Sequence, residues 1–293
     1  MNLTAGGFKH RFKAASKAWL FSLGLALLLF AALSREVSAW GPTAHRLANS
    51  QAVDTLPAEI RYFFEANRQF LGEHAGDPDQ WIVKDPYERK RHYIYLDKYG
   101  TFPYLDLPHG FKPATDKFST RRINRDGLLP WHVGEYSLRL TNALKAQKWD
   151  EAKLVAAALG HYVADTHDPL HTTSNYDGQL TGENGLEGRF GATLVDRFQG
   201  FMMFRPPPAA KIDDPTEYAF QAVLESNTWV DQVILGDRRA LEGLRDYNDD
   251  YYDRFYAAIG ATAVRELNAA AHDIGSYWYT AWLNAGRPQL PGR

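Results

Sequence analysis

Residues 150–171 read Asp150-Glu-Ala-Lys-Leu-Val-Ala-Ala-Ala-Leu-Gly-His161-Tyr-Val-Ala-Asp165-Thr-His167-Asp168-Pro169-Leu170-His171. Asp150 suits the N-cap of a helix that runs to about Asp168. His161 and Asp165 are four residues apart and so share one helix face. Pro169 disfavours a helical Asp168 and redirects the chain, which lets His171 swing back towards the same cavity. Imidazole and carboxylate converging on one point are what a zinc site requires. A histidine–aspartate pair buried in a helical core is the plainer meaning of the same spacing.

Outward from this stretch, helical spacing dominates. Pro42 suits a first turn, and the pattern continues to Val53. Pro57 starts a second helix with Ile60, Phe63, Phe64 and Phe70 on its apolar face. Trp131 to Ala146 repeats the pattern through Val133, Leu138, Leu140 and Leu144. Thr216–Val233 and Asn248–Leu283 are read as helices too, the last with Phe255, Ile259, Leu267, Ile274, Trp278 and Trp282 at helical intervals. Those aromatics read as core. Alternation is nearly absent, and His92–Leu96 is the best candidate strand. Residues 97–128 and 172–186 read as long irregular stretches, which are commonly functional or mobile. Pro206-Pro207-Pro208 is a rigid connector between helices, and no internal repeat is visible. The expectation is an all-α, single multi-helix domain.

The chain has 293 residues and no cysteine, which excludes disulfide scaffolds, cysteine nucleophiles and thiolate zinc sites. Ten histidines leave nitrogen and oxygen as metal donors. The formal charge is −2. Lys9, Arg11, Lys13 and Lys17 precede an apolar run from Ala18 to Leu33, and Val37-Ser38-Ala39 suits signal peptidase. Residues 1–39 are therefore expected to be a signal peptide, with an uncleaved anchor as the alternative. Cleavage before Trp40 leaves 254 residues with 28 basic and 34 acidic side chains, a net charge of −6. The expected location is secreted or periplasmic. An acidic domain weakens any case for broad contact with a phosphate backbone.

Three further features join the His161–Asp165 pair. A free amino group on Trp40, with its adjacent carbonyl, can chelate a metal, and His45 lies one helical turn into the chain. Asp77-Pro78-Asp79 is followed by His92, so a carboxylate and an imidazole can meet across a loop.

Together, the terminal Trp40, His45 five residues on, the Asp-to-His92 spacing and His161-x3-Asp165-x5-His171 resemble the superfamily of zinc-dependent phospholipases C and single-strand-specific zinc nucleases. These are all-α secreted phosphodiesterases with three clustered zinc ions. The match spans Trp40 to about Phe198. The resemblance implies one zinc held by Asp79 (or Asp77), His92, His161 and Asp165. It implies a second held by the Trp40 amino nitrogen and carbonyl, His45 and the other oxygen of Asp165. The water shared by that pair would attack phosphorus, with Asp79 or Asp77 able to accept its proton.

The third zinc is where this chain departs. The family places a histidine and an acid where Gly185-Leu186-Glu187-Gly188-Arg189-Phe190-Gly191 has Glu187 and Gly191. His171 and Glu187 alone would hold zinc poorly, with Asp168, Asp177 and Glu183 as neighbouring carboxylates. Two zinc ions are therefore expected.

His74 and His167 flank the motifs and read as supports behind the ligands or as surface, His132 reads as orienting a ligand by hydrogen bond or as a satisfied buried histidine, and His109 and His272 read as structural or exposed, while Tyr93, Tyr95, Tyr99 and Phe102 read either as a wall for a base or lipid or as core. The expected activity is hydrolysis of a phosphodiester, with phospholipid head groups favoured. A single-strand nuclease or 3′-nucleotidase is the alternative, and a catalytically weakened metal-binding relative is a third. No protein partner is inferred.

Overall fold

The computed structural model describes residues 40–292. The signal-peptide expectation falls on residues 1–39 and lies outside them. The chain order is α1 (Pro42–Thr55), α2 (Ala58–Ala66), α3 (Arg68–Glu73), α4 (Asp77–Trp81), α5 (Phe111–Phe118), α6 (Thr120–Asp126), α7 (Leu129–Lys145), α8 (Trp149–Thr166), α9 (Val195–Phe198), α10 (Pro215–Asn227), α11 (Val230–Leu241) and α12 (Asp249–Asn284). Among the described residues the extended backbone makes only one isolated bridge, Ile94 to Gly127. The fold is all-α. No helix of the described residues is long and apolar enough to cross a membrane.

Helix α8 is the axis of the fold. Its run from Val155 to Thr166 is buried on every side, as expected of a helix enclosed by others. At Gly160 a Cβ would overlap the Asn49 side chain, so the absence of a side chain there lets α1 cross closely. Asn49 uses that proximity. Its amide donates to Leu71 O at 3.0 Å and to Ala157 O at 3.1 Å, tying α1, α3 and α8 together. On the other flank α12 carries Phe255, Ile259, Leu267, Ile274, Trp278 and Trp282 into the core, as their spacing predicts.

Several expected boundaries move. Asp150 does not cap α8. The N-cap is Lys148, and Asp150 lies in the first turn, where its charge opposes the helix dipole and pairs with Lys153 at 2.9 Å. The helix ends at Thr166 rather than Asp168, because Asp168 accepts the Leu170 N–H at 2.8 Å and starts a short 3-10 turn, Pro169–Thr172. Thr216–Val233 is two helices, broken between Asn227 and Val230. Leu138, expected on an apolar face, is 61% exposed. Phe70 lies on a helix of its own, half-buried, with its ring 4.2 Å from that of His74.

Residues 97–128 are not wholly irregular. They contain α5 and α6, separated at Ser119, whose φ of 68° stops one helix while its hydroxyl accepts the Arg122 N–H of the next. The proline connector is extended and lies along α1 and α12: Ala209 N–H donates to Thr55 O, Ala210 N–H to Ser276 Oγ and Ile212 N–H to Thr280 Oγ1. The stretch 172–186 is a series of turns held by its own side chains, with Asn175 bonded to Leu180 and Thr181, and Arg189 donating to the Glu183 and Asn184 carbonyls.

Candidate metal centre

Four polar side chains meet where α8 passes under the segment 90–95. That segment is fixed from both sides. Leu128 N–H donates to Lys90 O at 2.7 Å, Tyr95 N–H to Asp126 O at 2.7 Å and Ile94 N–H to His171 O at 2.9 Å. Gly127, at φ +109°, permits the approach, since a Cβ there would overlap the Tyr93 carbonyl. His92 is thereby turned onto the His161–Asp165 face of α8.

His92 Nδ1 lies 3.0 Å from Asp165 Oδ2 and 2.9 Å from His161 Nε2, and His161 Nε2 lies 3.3 Å from Asp165 Oδ2. Asp79 Oδ1 closes the group at 3.7 Å from both ring nitrogens. Four ligands on a cation at 2.0–2.1 Å would stand about 3.3 Å apart at tetrahedral edges. The five separations, 2.9–3.7 Å, bracket that spacing.

The proton positions fit a cation as well. His161 Nδ1 is 2.8 Å from the Ala75 carbonyl, which can only accept, so that nitrogen carries the hydrogen and Nε2 presents its lone pair inward. His92 Nε2 lies 3.6 Å from Glu88 Oε1 without a hydrogen bond, while Nδ1 meets Asp165 Oδ2 at 3.0 Å; burial disfavours its charge, but Asp165 and Glu88 raise the imidazole to about 9. Outer partners of this kind orient metal-bound histidines. Glu88 in turn accepts from Tyr162 and Arg91. Burial opposes its charge, yet the nearby His92 imidazole and the bonds from Tyr162 and Arg91 hold its carboxyl down at about 2.

The second oxygen of Asp165 serves another group. Its Oδ1 lies 3.5 Å from His45 Nε2 and 3.3 Å from His171 Nδ1. His45 is fully buried, stacked at 3.8 Å on the His161 ring, and neither ring nitrogen has a hydrogen-bond partner. An unsatisfied buried polar group costs about 1–3 kcal/mol, and a cation between His45 and Asp165 would remove that cost. Burial, followed by the crowding of His161 against it, pushes the His45 imidazole well below its usual range and keeps it neutral, the form that ligates. For Asp165, burial opposes ionisation, but His161 and His171 hold it well below the usual carboxylate range.

Asp77 and Asp79 separate cleanly. Asp77 pairs with His74 at 2.7 Å, while Asp79 faces the cluster. Trp40 is fully buried with its ring 5.2 Å from Phe190, and Gly41 N–H donates to Gly191 O at 3.0 Å. Gly191, the position expected to hold an acid, thus anchors the segment leading into α1, and a Cβ on Gly41 would press Ala192.

Glu187 reaches only to within 3.9 Å of His171 Nε2, and burial pushes its carboxyl up to about 8. Asp177 is bonded to the Glu187 N–H and Glu183 to Arg238, so neither is directed at His171. Asp168 is fully buried with one oxygen unpartnered. Of the other histidines, His132 pairs with Glu135, His109 with Glu217 and His167 with Asp273, while His272 is hydrogen-bonded to Pro207 O.

Glu88 and the Ala75 carbonyl are the site residues that sequence reasoning did not pick out. The available signal for Glu88 was its place four residues before His92 in a helical turn. Glu88→Gln is expected to lower affinity for an added divalent ion about 10–100-fold while leaving the fold intact, as measured by competition with a chromophoric chelator; unchanged affinity would deny Glu88 an orienting role. No protein-family model and no curated protein matches this chain.

Proposed function

We propose that the protein is a zinc-dependent phosphodiester hydrolase with two tightly held ions. The observation that carries the reading is the convergence of Asp79, His92, His161 and Asp165 donor atoms at 2.9–3.7 Å from one another. Asp79, His92, His161 and Asp165 would hold one ion, and His45, Asp165 and the Trp40 terminus a second. The all-nitrogen-and-oxygen donor set suits zinc, which supplies a Lewis acid that lowers the pKa of water and neutralises phosphate charge.

The chain's own residues do the rest. Asp165 carries negative charge in a fully buried position and fixes four imidazoles around it. Asp79 is the more exposed carboxylate of the group, at 22%, and accepts a proton from the attacking water. The water oxygen forms a bond to phosphorus, the ester P–O bond breaks, and the leaving oxygen takes up the proton that Asp79 accepted, which restores the carboxylate. His171 and Glu187 supply too few donors for a third ion.

Phospholipid head groups remain the favoured substrate. One observation supports single-stranded nucleic acid as the second reading: Tyr93, Tyr95 and Tyr176 stack with ring centroids 4.3 and 5.9 Å apart beside His92, a surface onto which a base can stack. The proposed location is secreted or periplasmic, with Trp40 as the first residue.

The test is to prepare the chain with a verified Trp40 terminus, count bound zinc, and assay bis-p-nitrophenyl phosphate, phosphatidylcholine and single-stranded DNA. About two ions per chain and cleavage of phosphatidylcholine are expected. Activity on DNA alone would transfer the reading to the nuclease, and no bound zinc or no cleavage of any ester would overturn it.

A further inference from the structure

The stretch between α4 and α7 holds a surface that the hydrolytic reading does not use. Residues 84–126 carry ten basic side chains against six acidic ones, a net of +4. The rest of residues 40–293 carries 18 against 28, a net of −10. Charge is therefore segregated within an acidic chain.

Apolar exposure concentrates in the same place. Leu105 is 89% exposed, more than any other large apolar side chain among the described residues, and Phe102 on the same loop is 57% exposed. Two basic side chains, Arg122 and Lys117, lie at the base of this loop. The Arg122 guanidinium lies 5.5 Å over the Tyr99 ring and 4.8 Å over Phe118, and it donates to the Lys98 carbonyl. Lys117 pairs with Asp106 at 2.8 Å, and Lys98 and Arg121 stand exposed.

The loop is also tied to the metal centre. Tyr104 Oη–H donates to Asn227 Oδ1 at 2.8 Å, and Asn227 Nδ2–H donates to Thr172 Oγ1 at 2.9 Å, the residue after His171. Its tip is thus held at a defined place relative to the site.

Exposed apolar tips on a loop flanked in sequence by exposed Lys98 and Arg121 are the chemistry of an interfacial contact. The tips enter the acyl boundary while the cations meet headgroup phosphates. The most exposed tip, Leu105, is aliphatic and offers no face for a nucleobase, and the single exposed ring of Phe102 is not joined by a second to form a stacking run, so the surface fits lipid better than single-stranded nucleic acid. The remaining −10 is repelled by an anionic surface, which orients the molecule with this face towards it.

We infer that the face formed by the 99–106 loop and the basic residues that flank it docks the protein on an anionic phospholipid surface, with Phe102 and Leu105 entering the interface and Lys98 and Arg121 facing the phosphates. The inference is independent of the hydrolase reading, because docking needs neither zinc nor turnover.

The experiment uses zinc-free residues 40–293 and sedimentation with vesicles containing about one-quarter phosphatidylglycerol, compared with pure phosphatidylcholine. Binding to the anionic vesicles alone is expected, weakening as salt is raised. The Phe102→Asp/Leu105→Asp pair and the Lys98→Glu/Arg121→Glu pair should each bind at least about tenfold more weakly, with unchanged melting curves. Equal sedimentation of wild type and both variant pairs would overturn the inference, as would no binding to either vesicle. Tighter binding to a single-stranded oligonucleotide than to the anionic vesicles, lost in the charge pair but kept in the apolar pair, would overturn it in favour of nucleic acid.

Discussion

Asp165→Asn is expected to abolish both cation positions and lower phosphodiester hydrolysis by at least about a thousandfold. Each oxygen of this fully buried carboxylate faces two imidazoles: Oδ2 meets His92 and His161 at 3.0 and 3.3 Å, and Oδ1 meets His171 and His45 at 3.3 and 3.5 Å. Asparagine keeps the volume but replaces one oxygen with an NH2 group that has no lone pair for a cation. Its hydrogens would also occupy the space into which ring lone pairs point. The charge is lost at the same time, and with it the neutralisation of two divalent ions. Zinc at about a thousand times its Kd stabilises a one-site fold by about 4 kcal/mol, and the variant should forfeit that rise in melting temperature. Zinc counting, calorimetry and the bis-p-nitrophenyl phosphate assay check it together. A variant that kept two ions and a tenth of the rate would show that Asp165 is a structural carboxylate and not the bridge.

Asp79→Asn and Asp77→Asn should behave oppositely, although the two residues are separated only by Pro78. Asp79 presents an oxygen 3.7 Å from both His92 and His161. Its loss leaves one ion with three donors, and zinc affinity and activity should fall by about a hundredfold or more, beyond the range for outer partners. Asp77 opens α4 and pairs with His74 at 2.7 Å, away from the cluster. Its amide variant should stay within about threefold of wild type, as is usual for a partly exposed ion pair. Titration with zinc followed by activity at saturating metal separates affinity from rate. The reverse order of effects would place the Asp77 carboxylate, not that of Asp79, on the metal.

How far the site was legible follows from how local each relation is. His161 and Asp165 are fixed by helical geometry over one turn, and Pro169 forces the reversal that returns His171, so three donors could be placed from one segment. The choice between Asp77 and Asp79 could not be read in the same way. Both precede a connection of 12 or more residues to His92, and the path of that connection sets which carboxylate faces inward. Ser119 hid two helices, because its left-handed backbone breaks a stretch whose Pro, Gly and aromatic content reads as loop. Asp150 looked like a cap and is a first-turn acid, since Lys148 already closes the helix start.

The sequence by itself determined the all-α class, the helical core of α12, and the convergence of His161, Asp165 and His171, because helix periodicity and a proline stop act over a few residues. Only the tertiary structure decided that the Ala75 carbonyl meets His161 and Glu88 stands beside His92, that Gly191 anchors the segment before α1, and that Phe102 and Leu105 stand exposed. Each of those relations joins residues far apart along the chain, and packing of α8 against its neighbours, not local propensity, brings them together.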